Sequence, residues 1–277
     1  QGGGRLPRTS AQTPRPKPFP NQRRYPAMHD DPYSRTRRLL GQNALDALRA
    51  ARVAVFGIGG VGGHAAEVLA RSGVGALTLV DSDTVAPSNL NRQLVALRST
   101  LGQYKVDVMA ARIADIDPAI RVTPLRLFYG PDTADAVDVS QFDYVLDCID
   151  TVTAKLLLIE RCRAAGVPVL SSMGAANKLD PTAFRVADIE HTSVDPLARI
   201  VRIQCRKRGI RGLKVVFSTE PPLTPLPDPD GEPAADPGKP RRSVPASNAF
   251  VPAACGLVMG GEAVKDILRA AHALRLQ

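Results

Sequence analysis

A glycine-rich stretch at residues 56–64, FGIGGVGGH, constrains the fold of this chain more than any other feature. It follows the apolar run 52–56 and precedes the helical-looking AAEVLA, so it is predicted to join a strand to a helix. Gly57, Gly59 and Gly62 match G-x-G-x-x-G, whose glycines permit a tight turn, close approach to a phosphate, and close helix packing. The helix N-terminus adds N–H donors. The stretch therefore predicts a phosphate-binding turn, and a dinucleotide and ATP would both suit it.

Strands and helices alternate along the chain on both sides of this turn. Such alternation favours an α/β fold, with a Rossmann-like, mostly parallel sheet, helices on both of its faces, and a C-terminal extension. The predicted strands cover 53–56, 76–81, 121–128, 143–150, 167–172, 182–189 and 213–218. The predicted helices cover 33–51, the residues from the glycine turn to Arg71, 101–116, 153–165, a basic segment after Asp195, and 249–274.

The chain is predicted to form one domain behind a basic tail. Residues 1–29 are expected to be disordered, because the first 24 carry six basic residues, no acid and no apolar periodicity. Without those six charges, the formal net charge of +9 falls to +3. The net charge of the predicted domain is therefore weaker evidence for a nucleic-acid partner. Residues 30–277 form the predicted domain, with 174–277 as a substrate-facing extension and the Pro- and Asp-rich 221–247 as a mobile loop.

The four cysteines and the apolar segments limit the class of protein further. Cys148, Cys162, Cys205 and Cys255 form no C-x-x-C pair, so a structural zinc site is not expected. Free thiols are typical of a reducing compartment, which predicts a cytoplasmic protein. The most apolar late segment, 249–261, is short and contains a proline and glycines, so membrane association is not expected.

Charged and amide side chains follow the second and fourth predicted strands. Asp81 ends the second strand about 20 residues after the glycine turn, where a carboxylate can bind ribose hydroxyls. Attack on an α-phosphate builds negative charge that Arg or Lys neutralises, and Mg²⁺ requires a carboxylate, whereas hydride transfer requires neither. The cluster therefore favours ATP over NAD, although each residue alone could be a surface charge or a loop cap. Its other members are Asp83, Asn89, Asn91, Arg92, Gln93, Lys105, Asp147 and Asp150.

The order GIGGVG, LVDSD, NLNRQ, a downstream helical lysine and DCID resembles the ThiF/MoeB-like adenylating enzymes, relatives of the ubiquitin-activating enzymes. The resemblance covers about 33–172. It implies that ATP lies in the glycine turn with its ribose on Asp81. It also implies phosphate contacts from Asn91, Arg92 and Lys105, and a Mg²⁺-linked carboxylate at Asp150.

The same resemblance implies a homodimer, in which an arginine of the N-terminal helix reaches the partner's nucleotide. Arg35 and Arg38 stand at matching positions, and ordinary helix-surface charge is the alternative interpretation. The predicted catalytic residues are Arg35, Arg38, Arg92, Lys105 and Asp150.

Later stretches resemble a narrower group, the tRNA threonylcarbamoyladenosine dehydratases. They are SSMGAANKLDPT, DPLAR, VVFSTE and FVPAACGL, and with them the likeness spans roughly 30–270. It implies an ATP-dependent, ligase- or cyclase-type reaction on modified tRNA. The threonyl carboxylate attacks the α-phosphate of ATP and pyrophosphate leaves. The carbamoyl group of the same base then closes a ring and expels AMP, so no cysteine nucleophile is required.

A basic stretch at 195–214 is the feature from which a tRNA partner is predicted. Arg199, Arg202 and Arg206 share one face at helical spacing, which suits a phosphate backbone, while Leu197, Ile200, Val201 and Ile203 are expected to face inward. A solvated amphipathic helix is the alternative. The predicted tRNA-binding residues are Arg199, Arg202, Arg206, Lys207 and Arg208.

Three other functions remain as alternatives. Adenylation of the C-terminus of a sulfur-carrier protein is supported by the shared core and opposed by the missing C-x-x-C pairs. A nucleotide-sensing RNA-binding protein without turnover is the second, and an NAD-dependent oxidoreductase, disfavoured by the charged cluster, is the third. The predicted partners are tRNA and a second copy of the chain. A sulfur-transfer protein is a further candidate, and DNA is not expected.

Overall fold

A seven-stranded sheet lies at the centre of the described residues. Its strands are β1 (Arg52–Phe56), β2 (Ala76–Val80), β3 (Arg121–Leu125), β4 (Tyr144–Asp147), β5 (Val169–Ser172), β6 (Phe184–Asp188) and β7 (Lys214–Ser218). Their order is β3-β2-β1-β4-β5-β7-β6. Only β6 runs antiparallel to its neighbour. The structure is a computed structural model that describes residues 31–227 and 245–274. The predicted tail and residues 228–244 of the predicted loop lie outside these ranges.

Helices cover both faces of this sheet. They are α1 (Ser34–Leu40), α2 (Gln42–Ala50), α3 (Gly62–Ser72), α4 (Lys105–Ile116), α5 (Val152–Ala164), α6 (Pro196–Lys207) and α7 (Val251–Ala270). Because side chains alternate along a strand, Val53 and Val55 of β1 pack with α2, α3, α4 and α7, whereas Ala54 and Phe56 pack with α5. Helix α6 also packs with α5. The predicted fold class is confirmed.

Two element boundaries differ from the prediction because of glycines with positive φ. Gly41 has φ 92° and divides the predicted helix 33–51 into α1 and α2. Gly102 has φ 79°, so the helix predicted from Leu101 begins at Lys105 instead. The strand predicted to end at Phe128 ends at Leu125, one residue after Pro124.

The last helix, α7, lies directly against α3. A Cβ atom on Gly256 would stand 2.3 Å from Val61 O, and one on Gly260 would stand 2.6 Å from Val68 Cβ. Only glycine lets the two helices approach this closely. The described residues after Gly174 supply β6, β7, α6 and α7 to the sheet and its helical layers.

The two described ends of the predicted loop 221–247 are held together at Asn177. The backbone N–H of Leu223 donates to Asn177 O at 2.7 Å, and that of Asn177 donates to Ala246 O at 2.8 Å. The N–H of Ala246 donates to Asn177 Oδ1 at 2.8 Å. The described ends of this segment are thus bonded to the residues that follow β5.

Within the described ranges, none of the helices has the length and apolar character that crossing a bilayer requires.

Candidate nucleotide-binding site

The glycine turn joins β1 to α3 as predicted, and its three motif glycines differ in what they permit. Gly57 has φ 88°, and a Cβ atom there would lie 2.7 Å from Cys148 O. A Cβ atom on Gly62 would lie 1.8 Å from Gly57 O. Packing within the protein therefore requires glycine at both positions. On Gly59, a Cβ atom would meet no described atom closer than Gln93 Nε2 at 3.9 Å. The turn is consequently open at Gly59, where a phosphate can approach the backbone.

Asp81 directly follows β2 and stabilises the glycine turn through hydrogen bonds. Its Oδ2 accepts from the N–H of Ile58 at 2.7 Å, and its Oδ1 accepts from the N–H of Asp83 at 2.8 Å. Burial raises the pKa of Asp81, and these two N–H donors act in the opposite direction. Each carboxylate oxygen retains a second lone pair, so the residue can still accept from ribose hydroxyls.

Lys105 begins α4 and is only 5% exposed. Its Nζ donates to Asp83 Oδ2 at 2.7 Å, and its backbone N–H donates to Asp83 O at 3.0 Å. An ammonium group carries three donors. Lys105 therefore keeps donors for an anion beside the turn, while Asp83 fixes its position.

Residues 88–92 bring a guanidinium group next to the glycine turn. Arg92 Nη1 donates to Ser88 O at 2.9 Å and to Asn91 Oδ1 at 2.8 Å, and Arg92 forms no ion pair with a described residue. Its Cγ lies 3.6 Å from the position of a Cβ on Gly60. Asn89 Oδ1 accepts from the N–H of Ala86 at 3.0 Å and so caps the local turn. Arg92 thus retains free donors at the site.

Gln93 is the neighbour of Arg92 and has an unusual environment. The residue is 8% exposed, and its buried Oε1 has no hydrogen-bond partner among the described residues. An unpaired buried amide oxygen is costly. The Nε2 of the same side chain lies 3.9 Å from the Cβ position of Gly59 and can donate to a phosphate in the turn, whereas Oε1 can pair only with a donor.

The two aspartates of DCID have different environments. Asp147 is fully buried, and its Oδ2 accepts from Lys155 Nζ at 2.8 Å and Ser171 Oγ at 2.6 Å. Its Oδ1 accepts from the N–H of Ile149. The structure therefore leaves no carboxylate oxygen of Asp147 accessible for the predicted contact with ATP, because internal donors surround the group. Asp150 is exposed after β4 and forms no ion pair with a described residue.

Sequence reasoning missed two buried ion pairs near these residues. Lys155 pairs with Asp147, and Lys178 pairs with Asp195 at 2.9 Å. Lys155 lies inside the apolar run AKLLLI of a predicted helix, where a solvated side chain is not expected. This position is the sequence signal from which its burial could have been predicted.

The basic helix α6 differs from its predicted orientation. Ile200 and Ile203 are 46% and 40% exposed, so the prediction that they face inward is wrong. Val201 faces inward as predicted, and the smaller residues Ala198 and Cys205 form the rest of the buried face. A cleft of about 440 Å³ lies along the outer face, beside Val194, Arg199 and Ile203.

The predicted tRNA-binding arginines of α6 are not equally available. Arg202 Nη1 donates to Thr192 O at 2.9 Å, and Arg206 Nε donates to Glu190 Oε2 at 2.9 Å. The bond from Arg206 lowers the pKa of Glu190. Arg208 pairs with Glu160 at 2.7 Å. Arg199 and Lys207 are exposed and pair with no described acid.

Arg35 and Arg38 lie on α1, away from the bonds described above. Both side chains are exposed, and neither forms an ion pair with a described residue. Their guanidinium groups are therefore available to a second molecule.

The sheet is mostly parallel, a glycine-rich turn follows its first strand, and an acid follows its second strand. Together these features define a nucleotide-binding α/β protein. Within that class, the chain belongs to the ThiF family, whose model matches residues 33–275. It is 47% identical over 240 residues to the tRNA threonylcarbamoyladenosine dehydratase of Bacillus subtilis, over 86% of this chain and 94% of that protein. With the Escherichia coli dehydratase it shares 38% identity over 201 residues, which is 70% of this chain and 75% of the relative.

A solved structure of the E. coli dehydratase in complex with ATP superimposes on this chain with a TM-score of 0.76 and 37% identity. The match covers 87% of this chain and 95% of that one. Both family resemblances predicted from the motifs are thereby confirmed.

Proposed function

We propose that this chain catalyses the ATP-dependent dehydration of N6-threonylcarbamoyladenosine in tRNA to its cyclic form. The observation that supports this most is the 47% identity to the B. subtilis dehydratase, which extends over 94% of that enzyme. The open glycine turn and its flanking cations provide the chemical support.

ATP is the proposed co-substrate, and solved structures of the E. coli dehydratase contain ATP and AMP. In this chain, the open backbone at Gly59 fits a phosphate in the turn, and Gln93 Nε2, 3.9 Å from the Cβ position of Gly59, can donate to it. In the proposed complex, Asp81 would accept from the ribose hydroxyls, and Asn91, Arg92 and Lys105 would contact the phosphates. The threonyl carboxylate attacks the α-phosphate, and the two cations neutralise the charge that builds as pyrophosphate leaves.

The second step requires no nucleophile from the protein. The carbamoyl group of the same nucleoside attacks the activated carbonyl carbon, and the former carboxylate oxygen departs with AMP. Both reacting groups belong to one molecule, so proximity supplies much of the rate. The buried thiols support this scheme, because burial raises the pKa of Cys162 and Cys255 to about 12.

Mg²⁺ is the proposed metal, with Asp150 as its ligand from the protein. The described residues contain no group of three or more His, Cys, Asp or Glu side chains that could hold a metal ion. Mg²⁺ is commonly held by one or two carboxylates together with substrate phosphates, and a single exposed carboxylate beside the nucleotide fits that pattern. The ion would offset negative charge on the phosphates.

The proposed assembly is a cytoplasmic homodimer that binds tRNA. Arg35 or Arg38 of one copy reaches the nucleotide of the other, which agrees with their exposed, unpaired guanidinium groups. Arg199 and Lys207 contact the tRNA backbone. Arg202, Arg206 and Arg208 can do so only in addition to the bonds they already form with Thr192, Glu190 and Glu160.

The deciding experiment is a nucleoside mass assay. Purified protein is incubated with ATP, Mg²⁺ and threonylcarbamoylated tRNA, and the digested nucleoside should lose the mass of one water as AMP and pyrophosphate appear. A sulfur-carrier protein is assayed in parallel. AMP release with that carrier alone would replace the proposal with carrier adenylation. Binding of nucleotide and tRNA without any release would identify a non-catalytic RNA-binding protein.

A further inference from the structure

The stretch SSMGAANKLDPT contains a buried cation that the proposed reaction does not use. The Lys178 side chain is 1% exposed, and its Nζ donates to Asp195 Oδ2 at 2.9 Å and to Gly174 O at 2.6 Å. Burying an ammonium group is costly unless it is paired and hydrogen-bonded. Lys178 therefore forms a fixed bond between the turn after β5 and the residue that precedes α6.

Asp195 connects the Lys178 ion pair to the first turn of α6. Its Oδ1 accepts from the N–H of Ala198 at 2.9 Å, so it is the N-cap of that helix. A Cβ atom on Gly174 would lie 2.9 Å from Asp195 Oδ2, which shows how closely the turn and the helix start approach. The first turn of α6, which carries Arg199, is thus placed by the Lys178–Asp195 pair.

The same stretch is also bonded to the nucleotide site. Lys178 O accepts from Asn248 Nδ2 at 2.7 Å, and Asn248 Oδ1 accepts from the N–H of Val251 at 2.9 Å at the start of α7. The adjacent Ser247 O accepts from Asn91 Nδ2 at 3.1 Å. Asn91 in turn accepts from Arg92. A continuous series of bonds therefore connects the start of α6 to Arg92.

We propose that Lys178 is a positioning residue that fixes the tRNA-facing helix α6 relative to the nucleotide site. The inference rests on the proposed function, because it assigns the outer face of α6 to the tRNA substrate. A packed apolar side chain could fill the same space, but a buried ion pair adds directed bonds that set the distance and orientation of the helix. Loss of the pair should therefore weaken productive binding of tRNA more than binding of ATP.

The test compares the wild type with two variants. Lys178→Met leaves Asp195 as a buried unpaired carboxylate and can impair folding. The double variant Lys178→Met/Asp195→Asn removes both charges and keeps a good N-cap. Lys265→Met is the control, because Lys265 is a solvent-exposed partner of Glu262 far along α7.

For the double variant, the KM for threonylcarbamoylated tRNA should rise by about 2- to 30-fold, the range for mutations that alter coupling between sites. The Kd for ATP should change little, because the bond toward the nucleotide site is made by the backbone Lys178 O, which both substitutions keep. Amide hydrogen exchange should accelerate at residues 198–202 and remain unchanged in α3. An unchanged KM for tRNA would overturn the proposal. So would an equal loss of affinity for ATP and tRNA, since that indicates general loosening.

Failure of the proposed dehydratase function would give different results from failure of the Lys178 proposal. If the wild type binds the modified tRNA but does not turn it over, the dehydratase proposal fails, and the tRNA Kd of the same variants decides the role of Lys178. If the wild type does not bind the tRNA, both proposals are wrong.

Discussion

Lys155 Nζ lies 2.8 Å from Asp147 Oδ2, and neither side chain has any exposed surface. The ammonium group also donates to Ser171 Oγ and Ser172 O, so three donors meet three acceptors at the ends of β4 and β5. Asp147 ends the strand that leads to Asp150. The pair therefore holds the loop that places the proposed Mg²⁺ ligand.

Lys155→Met should destabilise the protein by about 3–5 kcal/mol, because it leaves a buried carboxylate without its counter-ion. Urea unfolding measures this cost. The double variant Lys155→Met/Asp147→Asn carries no unpaired charge and should recover much of the loss. Equal stability of the single variant and the wild type would show that the pair does not form.

Two glycine substitutions in α7 should have opposite effects. Gly256→Ala places a Cβ 2.3 Å from Val61 O, so it should cost about 1–3 kcal/mol through overpacking against α3. Gly261 has no described atom within 4 Å of its Cβ position, so Gly261→Ala should stabilise the helix by about 0.5–1 kcal/mol. Thermal unfolding of both variants checks the contrast, and equal shifts would contradict the close packing.

Arg92→Ala should lower kcat for AMP release by about 100- to 1,000-fold, the effect of losing one group that stabilises developing charge. Arg98→Ala is the matched control, since Arg98 is an exposed arginine in the same segment and lies outside the proposed site. Circular dichroism should show that both variants are folded. Normal turnover by Arg92→Ala would remove this residue from the site.

Glu262 should make the protein sensitive to acid. Burial alone would raise the pKa of Glu262, but hydrogen bonds from Lys214, Lys265 and Arg269 outweigh it and lower the pKa to about 2. Because this value lies below that of the unfolded chain, the stabilisation is present above about pH 4.5 and is lost as pH falls toward 2.

Glu262→Gln should therefore reduce the free energy of unfolding more at about pH 7 than at about pH 3. Asp132→Asn is the control, because Asp132 is an exposed carboxylate without an ion-pair partner among the described residues. A deficit that is independent of pH would contradict the assigned charge state of Glu262.

The cysteines should be unreactive in the folded protein. Burial raises the pKa of Cys148, brings that of Cys205 to about 11, and brings those of Cys162 and Cys255 to about 12. The thiolate is the reactive form, so iodoacetamide at about pH 8 should label none of them before urea is added. Intact-mass spectrometry gives the count. Rapid labelling of one thiol in the native state would favour a sulfur-transfer role.

Local sequence was sufficient where a structure depends on a few adjacent residues. The spacing of Gly57 and Gly62 predicted a turn that the structure requires sterically, and Asp81 was correctly placed at the end of the next strand. The ion pair of Lys155 with Asp147 depends instead on how α5 packs on β4, and no spacing rule specifies that contact. The sequence therefore did not indicate that Asp147 lies in a buried ion pair.

Helical periodicity likewise identified α6 but not its orientation. Ile200 and Ile203 have larger apolar side chains than Ala198 and Cys205, yet the smaller residues face the core. The reason lies in tertiary packing, because α6 lies close to α5, where Leu156 and Ile159 already fill the space.

The outer strand of the sheet has a consequence for self-association. Leu125 O accepts from Asp81 N, so the backbone of Leu125 faces β2, and that of the adjacent Pro124 faces outward. Proline has no N–H to offer. An incoming strand at β3 would therefore lose a hydrogen bond in the middle of the ladder, which protects this edge against amyloid-like extension. Two copies of the chain would then not associate by joining their sheets at β3.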